Sequence, residues 1–354
     1  MNRQLVNVVT VSAISEIPKS DFLVLLSFKE CGWQCVTTKD SVRVGDTGLY
    51  FEVDSFLPVD NPAFEFMKKN GIKTLYTGEV GMRVRTVKLR GQVSQGLFLG
   101  WDKFLNIDKD EAISGDLGDL SLLLNVIKYE VEPEISLTGD KIGEYPGHTP
   151  RSYQARIQNE PEFFTRYIDV EFERTLKLEG TSTSFIYNNG EVFPASHNTV
   201  YRKNDKFSPW KYIVEQGIDK AMVELGLNVS IQGEFMGPKI NKNIENFKEF
   251  KFFTYNIFKI DESQWMSRSE RKEYIWKINQ LLSDGCELLH VPTLEASVKI
   301  FSAVKDLDEL LKLADGPSIN AKRREGDVYK SLKPIDGQYV QFKVISNAYL
   351  LKEK

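Results

Sequence analysis

The sequence predicts an α+β protein in two parts: a small β domain, then a mixed domain of antiparallel sheets with flanking helices. Three observations carry this prediction. The first hundred residues hold short apolar runs separated by turn signals, the spacing of a small barrel or sandwich. A proline-bearing, partly acidic stretch follows. Beyond residue 155, strand-like and helix-like periodicities take turns.

In the first part, strands are expected at 5–11, 49–53, 83–89 and 96–99, with Gly45-Asp46-Thr47-Gly48 as a turn. The stretch 82–90 alternates basic and apolar residues with one slip of register. Alternation puts Arg83, Arg85, Lys88 and Arg90 on one face, and the slip suggests a bulge. Such a face is either solvated or tracks phosphates. Next, Asp108-Lys109-Asp110-Glu111 opens a loop-like region, and Pro133, Pro146 and Pro150 give it a linker's composition. The expected division is a β domain over 1–105, a linker over 106–150 and a second domain over 151–354.

The second domain predicts strands at 176–178, 183–187, 191–194, 229–235, 252–258, 326–331 and 338–345. Asn188-Asn189-Gly190 is a hairpin signal, because these residues tolerate positive φ. A helix is expected over 209–225, weakened by Gly217. Ser267-Arg268-Ser269-Glu270 has the form of a capping box and opens an amphipathic run through Ile275, Ile278, Leu281 and Leu282. A further helix over 306–314 stops at Asp315-Gly316-Pro317.

Bulk properties exclude some functions. A net charge of −4 and a pI near 5.7 argue against a chain that coats nucleic acid over its whole surface, so any such contact is local. Cys31, Cys35 and Cys286 make neither a disulfide framework nor a zinc site, and Cys31 and Cys35 read as core thiols. There is no signal-peptide pattern and no long uncharged apolar run. We therefore expect a soluble, intracellular, cytoplasmic protein with no membrane partner, a monomer by default.

The chemistry centres on Lys177, beside Glu179 and Gly180 in "LKLEGTS". A lysine attacks only as the neutral amine, which desolvation and nearby positive charge favour. Lys330 and Lys343 lie on other expected strands, as do Glu234 and, at a strand start, Glu325. Glu179, Glu234 and Glu325 would suit a hydrated Mg²⁺ or Mn²⁺ ion beside a polyphosphate. Each residue alone reads equally well as part of a solvated face.

Taken in order, the motifs resemble those of the covalent nucleotidyltransferases. Lys177-Leu178-Glu179-Gly180 resembles the motif whose lysine takes up AMP or GMP, and Ser196-His197-Asn198 stands where the next belongs. Gly233-Glu234-Phe235-Met236, Phe252-Phe253-Thr254-Tyr255, Glu325-Gly326-Asp327-Val328-Tyr329-Lys330 and Gln341-Phe342-Lys343 resemble the remaining four. Too little chain follows Lys343 for a C-terminal OB barrel of the kind found in DNA ligases and capping enzymes. The first domain instead resembles the OB module of the Deinococcus/Naegleria-type RNA ligases, at Gly32-Trp33, Val44-Gly45-Asp46, 50–55, Leu57-Pro58 and 88–96. Arg156-Ile157-Gln158-Asn159 and 342–347 are similar to that family too.

The resemblance implies an N-terminal OB-fold β-barrel followed by an ATP-grasp-like nucleotidyltransferase domain. It implies an ATP-dependent RNA ligase acting through lysyl-AMP on Lys177 and an RNA-adenylate, joining 3′-OH to 5′-phosphate and sealing nicks in duplexes with RNA on the 3′-OH side. Under it, Lys343 neutralises the α-phosphate and Lys330 assists there. Glu179, Glu234 and Glu325 hold waters of the metal, and Phe252 stacks on adenine. Arg156, Gln158 and His197 line the nucleotide site, and Arg83, Arg85, Lys88 and Arg90 bind the duplex. Three positions depart from the family's pattern: Glu179 replaces the commoner aspartate, His197 the usual arginine, and Gln341 a frequent basic residue. Lys239 and Lys242 are candidates to replace the lost charge. His148 and His290 read as structural or surface residues. Two other readings stay open: a DNA ligase or GTP-using capping-type enzyme, and a non-catalytic nucleic-acid-binding protein.

Overall fold

In the computed structural model, the described residues are 4–131 and 139–352, so Pro133 of the expected linker lies outside them. They form two compact units. The first holds the described residues up to 131, with Ile157–Glu162 and the chain from Leu350 onward; the second holds 139–156 and Phe163–Tyr349.

The first unit carries the expected short strands in two antiparallel sheets. One runs in the order Leu97–Gly100, Thr47–Phe51, Val6–Glu16, Leu23–Phe28, Gln34–Thr38. The other runs Ile127–Lys128, Ser55–Pro58, Val80–Arg83, Lys73–Thr74. Val6, Leu49, Phe51, Leu57 and Phe64 pack one core, and Val11, Leu26, Trp33, Cys35 and Tyr50 another. Cys31 and Cys35 are free thiols, both pushed up to about 12 by burial, which suits packing rather than reactivity. The expected strand over 83–89 is two pieces, Val80–Arg83 and Val87–Leu89, and the second pairs with Gln92–Ser94 in a separate two-stranded sheet.

The stretch 106–150 is more than a linker. Asp108 caps helix Lys109–Ser114 through Asp110 N–H and Glu111 N–H at 2.9 and 3.1 Å. Ser121, in helix Leu120–Leu123, accepts the N–H groups of Leu5 and Val6. Ala112, Leu120, Leu124 and Val126 join the first unit's core. Their acidic neighbours masked this apolar stripe in the sequence. At the far end, Lys141–Glu144 is an edge strand of the second unit.

In the second unit two sheets are built. The larger runs Lys141–Glu144, Thr199–Tyr201, Glu191–Ser196, Thr181–Asn188, Val229–Met236, Lys251–Lys259, Gln264–Trp265, with Leu289–His290 parallel to Lys251–Lys259. The smaller runs Ala155–Arg156, Gln341–Ile345, Gly326–Ser331, Phe172–Lys177, Thr293–Val298. The Asn188 hairpin forms: Asn188 pairs with Glu191 across Asn189 at φ 50° and Gly190 at φ 90°. The helix expected over 209–225 breaks at left-handed Gly217 into Ser208–Glu215 and Ile218–Leu225. Helix Arg268–Leu281 opens with both halves of the capping box in place. These helices cover one face of the larger sheet through Ile213, Met222, Ile275 and Ile278 against Ile231, Phe235 and Phe252.

Candidate active site

Strand alternation builds the site. In the smaller sheet Lys177 pairs with Gly326, Thr175 with Val328 and Glu173 with Lys330. Val328 pairs with Lys343, Lys330 with Gln341, and Lys343 with Arg156. Paired residues share a face, so Arg156, Glu173, Lys177, Lys330, Gln341 and Lys343 point one way. Phe172, Tyr329 and Phe342 point the other; Tyr329 stacks on Phe342, and Phe172 and Phe342 pack against Phe301.

Residues 178–180 then carry the chain from the smaller sheet to the larger. Gly180 is needed there for space, not for φ: a Cβ would meet the Phe235 carbonyl oxygen at 2.5 Å and the Glu234 side chain at 2.8 Å. The next residues place Ser182 opposite Glu234. Glu234, Ser182, Phe253 and Tyr255 share the face turned toward Lys177, with Ser182 and Tyr255 hydroxyls 2.9 Å apart.

Lys177 Nζ lies 2.8 Å from Glu325 Oε2. Burial pulls the lysine's pKa down and Arg156 adds to that, but Glu325 and Glu234 outweigh both, so it rests above the ordinary lysine value. Without ligand, the acids win over the desolvation that favours the neutral amine. Glu234 is pushed up to about 7, first by burial and then by Glu325, against the pull of Lys177 and of the Gly180 N–H. Burial also raises Glu179, whose Oε1 accepts from the Tyr349 hydroxyl at 2.8 Å while Oε2 is buried without a partner. Among the described residues no three or more acids, histidines and cysteines stand close enough to hold a metal directly. Glu179 and Glu234, both raised by burial and by the nearby Glu325 charge, the former with an orphaned oxygen, fit a cation held through its waters.

Lys330 is half-buried, and desolvation first and Arg271 second hold it well below the usual lysine range; its amine donates to the Tyr255 carbonyl at 3.4 Å. Gln341 accepts from Asn256 and Gln154 at 3.4 and 3.5 Å, so the departure from a basic residue is absorbed by a neutral amide cluster. Ser196 pairs with Thr183, which puts the exposed His197 at the Glu234 end of the sheet. Lys242 sits 5.7 Å over the Tyr349 ring and lowers Glu179 electrostatically, adding positive charge nearby.

Two expectations change, those for Phe252 and for the row of bases at 83–90. Phe252 pairs with Phe235 on the helix-covered face, wholly buried against Phe185 at 4.8 Å, so it faces away from Lys177; Phe253 pairs with Glu234 instead. A register shift between Gln232 and Gly233 breaks the alternation there. Gln158 belongs to the segment that packs with the first unit, where its backbone carbonyl accepts from Gly32 N–H at 2.6 Å. Arg83 is held by Asp54 at 2.6 Å and lies 4.5 Å over the Tyr129 ring, its side chain 7% exposed. Only Arg85, Lys88 and Arg90 are exposed, so the four bases do not form one row.

Two features were not foreseen. Tyr349 orients Glu179 from near the chain end. Arg271 and Arg268 of helix Arg268–Leu281 reach Glu173 at 2.5 and 2.9 Å. Partners so far apart in sequence leave no local signal.

Known proteins resemble the chain in sequence and in fold. The RNA ligase family matches residues 170–345, and an OB-fold domain matches 5–101. No curated protein sequence matches. Among solved structures, an apo mutant of Naegleria gruberi RNA ligase is 32% identical, with TM-score 0.88 over 99% of this chain and 98% of that one. Mutants of the same enzyme solved with ATP and Mn, and with AMP and Mn, are each 31% identical, with TM-scores of 0.88 and 0.87 over 99% of both chains.

Proposed function

The chain belongs to the RNA ligase family, and from that premise we propose that it is an ATP-dependent ligase joining RNA 3′-OH and 5′-phosphate ends through lysyl-AMP and an RNA-adenylate. The observation that carries this reading is Lys177 Nζ, 2.8 Å from Glu325 and on one sheet face with Arg156, Lys330 and Lys343. An amine nucleophile is thus ringed by cations that suit a triphosphate and by acids that suit its metal.

Lys177 attacks the α-phosphorus of ATP, forming a P–N bond as pyrophosphate leaves. Lys343 and Arg156 stabilise charge growing on the α-phosphate oxygens. Lys330 approaches the nucleotide from the neighbouring strand. A divalent cation would be held through water by Glu179, Glu234 and Glu325, and its charge would weaken their grip on the Lys177 proton. Phe253 or Tyr255, rather than Phe252, presents its ring to the base. AMP then passes to a 5′-phosphate, and a 3′-OH displaces it to close the phosphodiester.

The substrate is a nicked duplex with RNA on the 3′-OH side, and Arg85, Lys88 and Arg90 are the phosphate contacts of the OB-fold domain. Sealing assays on matched nicks, with RNA or DNA on either side, test this. ATP-dependent sealing that requires a 5′-phosphate and RNA at the 3′-OH supports the reading. Equal or better sealing of all-DNA nicks contradicts the substrate assignment.

A further inference from the structure

Behind the lysines lies a buried polar chain that the reaction as described does not use. Arg271, 1% exposed, donates from Nη2 to Glu173 Oε2 at 2.5 Å and from Nε to His290 Nε2 at 3.4 Å. His290 Nδ1 lies 2.6 Å from the Val291 carbonyl oxygen. Its pKa is lowered to about 4, by burial first and Arg271 second, so the ring is neutral: Nδ1–H donates to Val291, and Nε2 accepts from Arg271. Glu173 Oε1 receives Arg268 Nε at 2.9 Å and Thr293 Oγ1 at 3.4 Å. Burial pushes Glu173 upward, but Arg271 and its other charged neighbours hold it below the usual carboxylate range, hence ionised.

The placement of Glu173 gives this chain its meaning. Glu173 is the direct cross-strand partner of Lys330, on the face that also carries Lys177. Facing Cβ atoms on paired strands lie about 5 Å apart, so an unpaired Glu173 would be the natural counter-ion of Lys330. Instead its oxygens are taken by helix Arg268–Leu281, and the Lys330 amine reaches across to Tyr255 in the other sheet.

We propose that Arg271 is a positioning residue for nucleotidyl transfer: by occupying Glu173 it keeps that carboxylate from capturing Lys330, whose amine stays directed toward Tyr255 of the larger sheet. This rests on the reading of Lys330 as a nucleotide-site lysine. Arg271 touches no reacting atom; it acts through Glu173, and His290 holds its guanidinium in register.

The test is a mutant cycle on single-turnover lysyl-AMP formation by the full chain, with ATP and Mg²⁺, at rates slow enough to follow over hours. Arg271→Met is expected to slow the step by about 10- to 100-fold, the usual cost of losing a partner that orients a site residue. Adding Glu173→Gln should restore most of the rate. In a Lys330→Met background, Arg271→Met should change the remaining rate by no more than about threefold, because the group it protects is gone. No loss from Arg271→Met, or an equal loss in both backgrounds, overturns the proposal and leaves Arg271 a packing residue. If Lys330→Met itself adenylylates at the parental rate, what fails is the assignment of Lys330 to the nucleotide site. Should Arg271→Met not fold, Arg271→Lys takes its place in the same cycle. It keeps the charge but cannot hold Glu173 and His290 together, so a Lys330-dependent loss is again expected.

Discussion

Glu234 should make the empty protein less stable as pH rises through neutrality, and Glu234→Gln should remove that loss. Its carboxyl is pushed from the ordinary 4.5 to about 7, by burial above all. At about 1.4 kcal/mol per pH unit, ionising it costs the folded state about 3 kcal/mol. The sign follows from linkage. Between the two values the folded protein keeps a proton that the unfolded chain has released, so unfolding free energy falls as pH climbs. The stabilising contribution is complete below about pH 4.5 and gone once pH has passed through about 7. Urea unfolding of wild type and Glu234→Gln in EDTA, at about pH 5 and about pH 8.5, isolates the effect because the other titrations largely cancel. The variant should gain about 3 kcal/mol on wild type between the two pH values, while losing lysyl-AMP formation. A stability difference that does not change with pH would refute the reasoning, and would mean that Glu234 titrates as an ordinary surface acid.

Gly180→Ala forces a methyl into the Phe235 carbonyl, so it should cost about 1–3 kcal/mol and slow adenylylation; an unchanged melting temperature and rate would contradict the close approach. Phe252→Ala should open a cavity worth about 3–5 kcal/mol with little change in KM for ATP, whereas Phe253→Ala should raise that KM. The reverse pattern in steady-state kinetics would return the base contact to Phe252. Replacing Arg85, Lys88 and Arg90 together by alanine should flatten the slope of log affinity for duplex against log salt by up to about 3. Arg83→Ala should instead destabilise the fold by about 3 kcal/mol, since it breaks a largely buried ion pair with Asp54; a salt slope altered by Arg83→Ala alone would argue otherwise.

Local chemistry made part of this molecule legible in advance. Asn189 and Gly190 must take positive φ, and the hairpin follows. Ser267 and Glu270 cap each other through contacts three residues apart. The ordered motifs pointed to Lys177, Glu234, Glu325 and Lys343; the structure sets Lys177, Glu234 and Lys343 on strands whose alternation fixes a face, and Glu325 directly before one. What failed depended on pairings between distant segments. The register shift beside Gly233 decides whether Phe252 or Phe253 looks at the lysine, and a bulge leaves no local mark. Arg83 reads as a surface base until Asp54 and Tyr129 are brought to it. The residues Ala112, Leu120 and Val126 looked like a linker because their apolar stripe is narrow and flanked by acids. The Lys177 pKa could not be signed from the sequence, since burial and Arg156 pull one way and two acids the other.

The central claim is that Lys177 is the residue that carries AMP. Incubate the protein with Mg²⁺ and ATP radiolabelled at the α-phosphate, denature it, and measure label on the polypeptide. Label is expected on wild type, none on Lys177→Ala, and release of the label when a nicked duplex with a 3′-OH RNA end is added. Label that persists in Lys177→Ala, or wild type that takes up label only from GTP, would contradict it.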